Sequence, residues 1–161
     1  MKSGKKAICA GPGNPPVVVD ETADLEQAAQ DIVTGASFDN NIVCIDEKTA
    51  LVVDTVADRL IRSMAQHGAY LLKEHELARL ERVIFREARP AGKPGVINPT
   101  WIGKNAGAIL AEIGVGAGDD IRLAVAEVRE EHNLVWTEQM LPVMPLVRVP
   151  SVDRAIDLAV R

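Results

Sequence analysis

The sequence predicts an α/β domain: a mainly parallel sheet flanked by helices. Short apolar runs rich in β-branched residues ("PVVVD", "TALVVD", "IRLAVAEV", "MPLVRV") alternate with segments whose apolar residues recur at helical spacing. The run "TALVVD" is apolar without alternation, as a strand covered on both faces is. The chain has 161 residues, enough for one domain that buries about two thirds of its unfolded surface.

Taken in order, "KAICA" and "PVVVD" read as strands on either side of "GPGNPP", with Cys9 buried in the first. That glycine pair is not a dinucleotide fingerprint, because Pro15, Pro16 and a strand follow it where a helix should open. A helix is expected over "ADLEQAAQDIVTGAS", with Asp24 at its start, a stripe of Leu25, Ala28, Ala29, Ile32 and Val33, and Gly35 at its exit. After the strand "TALVVD", Val53, Val56, Ala57, Leu60, Ile61 and Met64 mark a helix ending near Gly68. A further helix covers "EHELARLERVIFRE", and "ARPAGKPGVINPT" is loop. Ala106, Ile109, Leu110 and Ile113 give a helix stopped at Gly114, which makes "GVGAGDD" a helix exit rather than a phosphate loop. "SVDRAIDLAVR" opens a last helix capped by Ser151, in a place where such a fold would add another strand. No internal repeat or low-complexity segment interrupts the pattern.

Composition removes several classes of function. The net charge is −5, the basic residues are scattered, and aromatics are 3%, so the basic stripe and stacking rings of a nucleic-acid binder are missing. Apolar runs are too short for a membrane span, and "MKSGKKAICAG" is too short for a signal-peptide core. Two cysteines without a secretory signal suit free thiols in a reducing cytoplasm. His67, His75 and His132 have no metal-like spacing, so no metal is assigned. Nothing in the sequence brings His132 to a cysteine, and Glu130 and Glu131 read as a solvated turn.

Cys44 is the candidate for chemistry. It stands in "ASFDNNIVCIDEK", where a helical pattern stops, behind Asp39, Asn40 and Asn41. The thiolate is the reactive form of cysteine, and the acids Asp46 and Glu47 beside it do nothing to promote it. The residues alone leave a nucleophile and an inert loop thiol both open.

The stretch "KKAICAGPGNPPVVVDETADLEQAAQDIVTGASFDNNIVCIDEK", followed by "WIGKNAGAILAEIGV" and "TEQMLPVMPLVRV", resembles the catalytic domain of the CoA-acylating aldehyde dehydrogenases. The members nearest in pattern oxidise acetaldehyde or propionaldehyde in bacterial ethanolamine and propanediol breakdown. The resemblance implies that Cys44 is the nucleophile, that NAD is the oxidant, and that coenzyme A accepts the acyl group from a cysteine thioester. It implies that Glu138, in "TEQMLPV", matches the superfamily's E-x-F-G-P motif, whose carboxylate holds the nicotinamide ribose. Hydrolytic relatives carry a general-base glutamate in "E-L-G-G-K"; that stretch lines up with "AGPGN" and leaves Ala10 in its place. Water needs such a base to attack a thioester, and the far more acidic thiol of CoA does not.

Residues 1–161 are thus expected to form a single catalytic domain, with the family's NAD-binding domain and C-terminal oligomerisation segment absent and the isolated piece without turnover. The full-length enzyme is expected to be a homo-oligomer acting on a short-chain aldehyde, cytoplasmic or inside a bacterial microcompartment, with no nucleic-acid or membrane partner. The alternatives are a hydrolytic aldehyde dehydrogenase releasing free acid and a non-catalytic fragment.

Overall fold

The computed structural model describes residues 4, 6, 11–118 and 120–161; the strand expected at "KAICA", with Cys9 and Ala10, lies outside them. Five strands, β1 (Pro16–Val19), β2 (Thr49–Val53), β3 (Ala69–Leu71), β6 (Leu123–Glu127) and β7 (Val143–Val149), form one sheet in the order β1-β2-β7-β6-β3. Every neighbouring pair is parallel, as the alternation of strands and helices requires. All of β2 is buried, in keeping with its unbroken apolar run. The central β7 tolerates Pro145 at the loss of one ladder donor.

Side chains of β6 alternate between two cores, as the pleat dictates. Leu123 and Val125 join the first, with Ile32 and Val33 of α1 (Leu25–Ala36) and Leu60 and Met64 of α2 (Asp54–Gln66). Ala124 and Ala126 join the second, with Leu80 and Ile84 of α3 (Glu74–Ile84) and Ile109 and Leu110 of α4 (Ala106–Glu112). The sheet is therefore covered on both faces. The short α5 (Asn133–Trp136) leads toward β7, and α6 (Val152–Ala159) packs along β1, β2 and β7.

The expected signals act largely as read. Asp24 accepts from the backbone N–H groups of Glu26 and Gln27 at the start of α1, and Ser151 Oγ accepts from Arg154 N at the start of α6. Gly68 and Gly114 follow α2 and α4 with φ of 94° and 80°. Two readings need correction. Gly35 lies within α1, which runs on to Ala36, and a Cβ there would reach the mobile end of the Glu47 side chain. The third helix stops at Ile84, and Phe85–Glu87 become β4, paired antiparallel with β5 (Val96–Ile97) from inside the expected loop.

Helices α1 and α2 are joined by a polar clamp as well as by their apolar faces. The Glu26 carboxylate accepts from Ser63 Oγ and lies 2.8 Å from His67 Nε2. The Ser63 hydroxyl, and then His67, hold the Glu26 carboxyl below its ordinary value of 4.5. A carboxyl depressed on folding contributes stability that is complete above its unfolded pKa and lost as pH falls through the folded one. Urea midpoints measured from neutral pH down through pH 4.5 should therefore fall less steeply for Glu26→Gln than for the parent chain. Equal acid limbs would remove the clamp from the stability of the fold.

Candidate active site around Cys44

The strands β1, β2 and β7 all begin at one edge of the sheet, and the segments that feed them, 11–15, 37–48 and 137–142, converge there. The turn before Cys44 answers for its polar sequence. Asp39, Asn40 and Asn41 have φ of 43°, 55° and 62°, a left-handed run that short amide and acid side chains tolerate best. Each left-handed residue costs roughly 1–2 kcal/mol, so the run persists only where its surroundings enforce it.

Asn41 supplies that enforcement. It is 3% exposed, and its Nδ2 donates to Ala36 O at the end of α1 (2.9 Å) and to Glu47 O just before β2 (3.0 Å). Its two oxygens, O and Oδ1, each accept from Lys48 Nζ at 2.6 Å. Lys48 is itself 1% exposed. Burial pushes its ammonium below the usual lysine range, while negative charge on Asp46, Glu138 and Cys44 pulls the other way. Those three groups thus lie within electrostatic reach of one buried cation.

Cys44 is exposed, and in the same segment Phe38, Ile42 and Ile45 are 61%, 42% and 78% exposed. The "GPGN" segment lies against it: a Cβ on Gly13 would meet the Cys44 carbonyl oxygen and stand 3.1 Å from Cys44 Cβ. Glycine at 13 is therefore required by close approach to the thiol's own backbone, a role unrelated to phosphate, whereas a Cβ on Gly11 would meet nothing within 4 Å.

Glu138 reaches the same edge from the β7 side. Its neighbours hold it: Gln139 is fully buried and donates to Leu134 O, and Met140 takes a φ of 52°. Gly103 joins the two loops. Its carbonyl accepts from Asn40 Nδ2 (3.0 Å), its N–H donates to Met140 O (3.0 Å), and the Ile42 side chain packs where a Cβ would be. Asn40 Nδ2 also reaches Asn105 Oδ1 (2.9 Å). The fold thus brings Cys44 and Glu138 to one edge, although they are distant in the chain.

Sequence reasoning missed Gly103 and Lys48, and named Asn41 without giving it a role. Only the asparagine run carried a signal, as residues suited to positive φ. His132 serves elsewhere: its Nδ1 accepts from Leu134 N at the start of α5, which leaves the Nε2 proton for Glu81 at 3.0 Å. Glu130 is not merely solvated, since its carboxylate accepts from Arg154. Among the described residues, no three His, Cys, Asp or Glu side chains are grouped to hold a metal ion, and no helix is long and apolar enough to cross a membrane.

With this geometry in view, comparison with known proteins is specific. The aldehyde dehydrogenase family model matches residues 1–79. The acetylating acetaldehyde dehydrogenase EutE of Salmonella typhimurium is 49% identical over 159 residues, which are 99% of this chain and 34% of that protein. The propionaldehyde dehydrogenase of Rhodopseudomonas palustris, solved with propionyl-CoA bound, superposes with a TM-score of 0.89 at 45% identity, over 99% of this chain and 34% of its own. The propionaldehyde dehydrogenase of the Clostridium phytofermentans fucose utilisation bacterial microcompartment gives 0.87 at 38% identity, over 99% and 35%. The chain spans about a third of the length of these relatives.

Gly103→Ala should destabilise the protein by about 1–2 kcal/mol, because φ is 71° and the new methyl meets Ile42 Cδ1 at 2.6 Å. Gly107→Ala, in α4 with only Gly118 O at 3.9 Å, should be neutral or stabilising by no more than about 1 kcal/mol. Urea unfolding of the two variants checks the contrast. Equal midpoints would mean that Gly103 is not under the constraint described.

Proposed function

We propose that this chain, a homologue of the CoA-acylating aldehyde dehydrogenases, is the catalytic domain of an enzyme that converts a short-chain aldehyde and coenzyme A to acyl-CoA with NAD as oxidant. The observation that carries the reading is the convergence of Cys44 and Glu138 across Gly103, in a chain whose similarity to acylating enzymes runs over nearly its whole length.

In this reading the Cys44 thiolate attacks the aldehyde carbonyl carbon, forming a C–S bond and a tetrahedral oxyanion. Backbone N–H groups at the turn are suited to receive that charge, and a preorganised donor of this kind is worth about 3–4 kcal/mol. NAD, when bound, would supply the acceptor for the hydride of the former aldehyde carbon, which would leave Cys44 holding the acyl group as a thioester. The CoA thiol, losing its proton, then adds to that carbonyl and expels the Cys44 thiolate, so that the acyl group leaves on CoA.

The residues present fit the cofactor in one respect. Glu138 is half-buried and held by fully buried Gln139 on one side and the strained Met140 on the other, as a carboxylate that must grip a ribose hydroxyl would need to be. The exposed apolar side chains of Phe38, Ile42 and Ile45 in the segment that carries the thiol suit a small aldehyde. Ala10, in place of a general-base glutamate, supports CoA over water as acceptor. The resemblance also supports a bacterial, microcompartment-associated homo-oligomer acting in ethanolamine or propanediol breakdown.

The test replaces the matching third of the Salmonella enzyme with these 161 residues and follows NADH and acyl product in the folded chimera. Aldehyde-dependent NADH formation that requires CoA and yields acyl-CoA is expected, and Cys44→Ala should reduce it to background. Free acid without CoA would assign the hydrolytic class instead, and no NADH at all would favour a non-catalytic segment.

In the same chimera, Glu138→Gln should lower the hydride step by up to about a hundredfold, what misplacement of a reactant costs. It should leave iodoacetamide labelling of Cys44 nearly unchanged. An unaltered rate and NAD dependence would take Glu138 out of the site.

A further inference from the structure

We propose that Lys48 is a positioning residue for Cys44, its buried ammonium closing the turn that carries the thiol and fixing a positive charge beneath it. The inference deepens the reading of Cys44 as the reactive group, and it stands on the geometry of one side chain. Lysine is among the residues least often fully buried, and removing an ammonium from water costs several kcal/mol. Lys48 is 1% exposed. Two of its three N–H donors go to Asn41 O and Oδ1, both at 2.6 Å, so the ammonium clasps the last residue of the left-handed run.

Packing alone does not call for a cation there. Buried ions can often be exchanged for apolar side chains of similar volume without loss of stability, so retaining one points to a use for its charge or for its donors. The charged and titratable groups that face it are Asp46, Glu138 and Cys44. Asp46 Oδ2 is buried without a hydrogen-bond partner, so the carboxylate beside the turn does not satisfy itself elsewhere through that atom. Two carboxylates gathered without a cation would repel each other and any negative charge that forms on sulfur or on an adduct. Lys48 offsets that charge from below, and through Asn41 it fixes where the sulfur sits.

The experiment uses the 161-residue chain and needs no aldehyde, NAD or CoA, so its outcome is independent of whether the acyl acceptor is assigned correctly. Alkylation of Cys44 is followed by peptide-resolved mass spectrometry with neutral iodoacetamide and anionic iodoacetate, in the parent chain and in Lys48→Met, Lys48→Gln and Lys48→Arg. Loss of the charge should lower the iodoacetate-to-iodoacetamide rate ratio by roughly fivefold in the Met and Gln variants, what about 1 kcal/mol between unit charges is worth. Lys48→Arg should keep the ratio within about twofold of the parent. A merely structural lysine would change both rates together and leave their ratio alone, so an unchanged ratio in a folded Met or Gln variant overturns the proposal. If neither neutral variant folds, Lys48→Arg decides. Parent-like alkylation in a folded Arg variant upholds the need for a cation at this point, and a fall in both rates without a fold defect, or failure of this variant to fold as well, overturns it.

Discussion

A single buried amide holds together three parts of this chain that would otherwise move separately. Asn41 ties the carboxyl end of α1 to Glu47, two residues before β2, and it receives the ammonium of Lys48 on both of its oxygens. Through it the turn bearing Cys44 becomes an extension of the sheet instead of a surface loop. The three left-handed residues are affordable only because this knot leaves the backbone no alternative. Loss of the amide would free Ala36 O, Glu47 O and Lys48 Nζ together, and the position of the thiol would be the first casualty.

The parts of the fold legible in the sequence are those in which one local signal dominates. Buried β2 announces itself by an unbroken apolar run, and α1 by Asp24 and a clean stripe. Strand β3 was missed because three residues, Ala69–Leu71, carry no pattern, and they are held by pairing with β6. Phe85 continues a helical stripe in sequence but leaves the helix because Val96 and Ile97 offer it a ladder. Gly35 looks like a helix exit and instead lies inside α1, against the end of the Glu47 side chain.

For the site, the asparagine run was visible, since few other residues accept positive φ, and Cys44 was visible as a thiol at a break in periodicity. Glu138 came through resemblance alone. Lys48 and Gly103 carried no signal, and for physical reasons. Charge in a sequence reads as exposure, and burial of Lys48 depends on partners formed by the turn it closes. Gly103 acts through contacts with Asn40, Ile42 and Met140, two loops that meet only in three dimensions.

The edge at which these loops meet is the one where the parallel strands begin. Helices in such a sheet run back against the strands, so α1 delivers its last carbonyls to this edge, as the bond from Asn41 to Ala36 O records. Open α/β sheets usually bind at the opposite rim, where helix amino ends attract phosphate. The carbonyl end of α1 disfavours an anion nearby by about 0.3–1 kcal/mol. The buried ammonium of Lys48 stands against it, so the tolerance of this rim for negative charge depends on that one side chain.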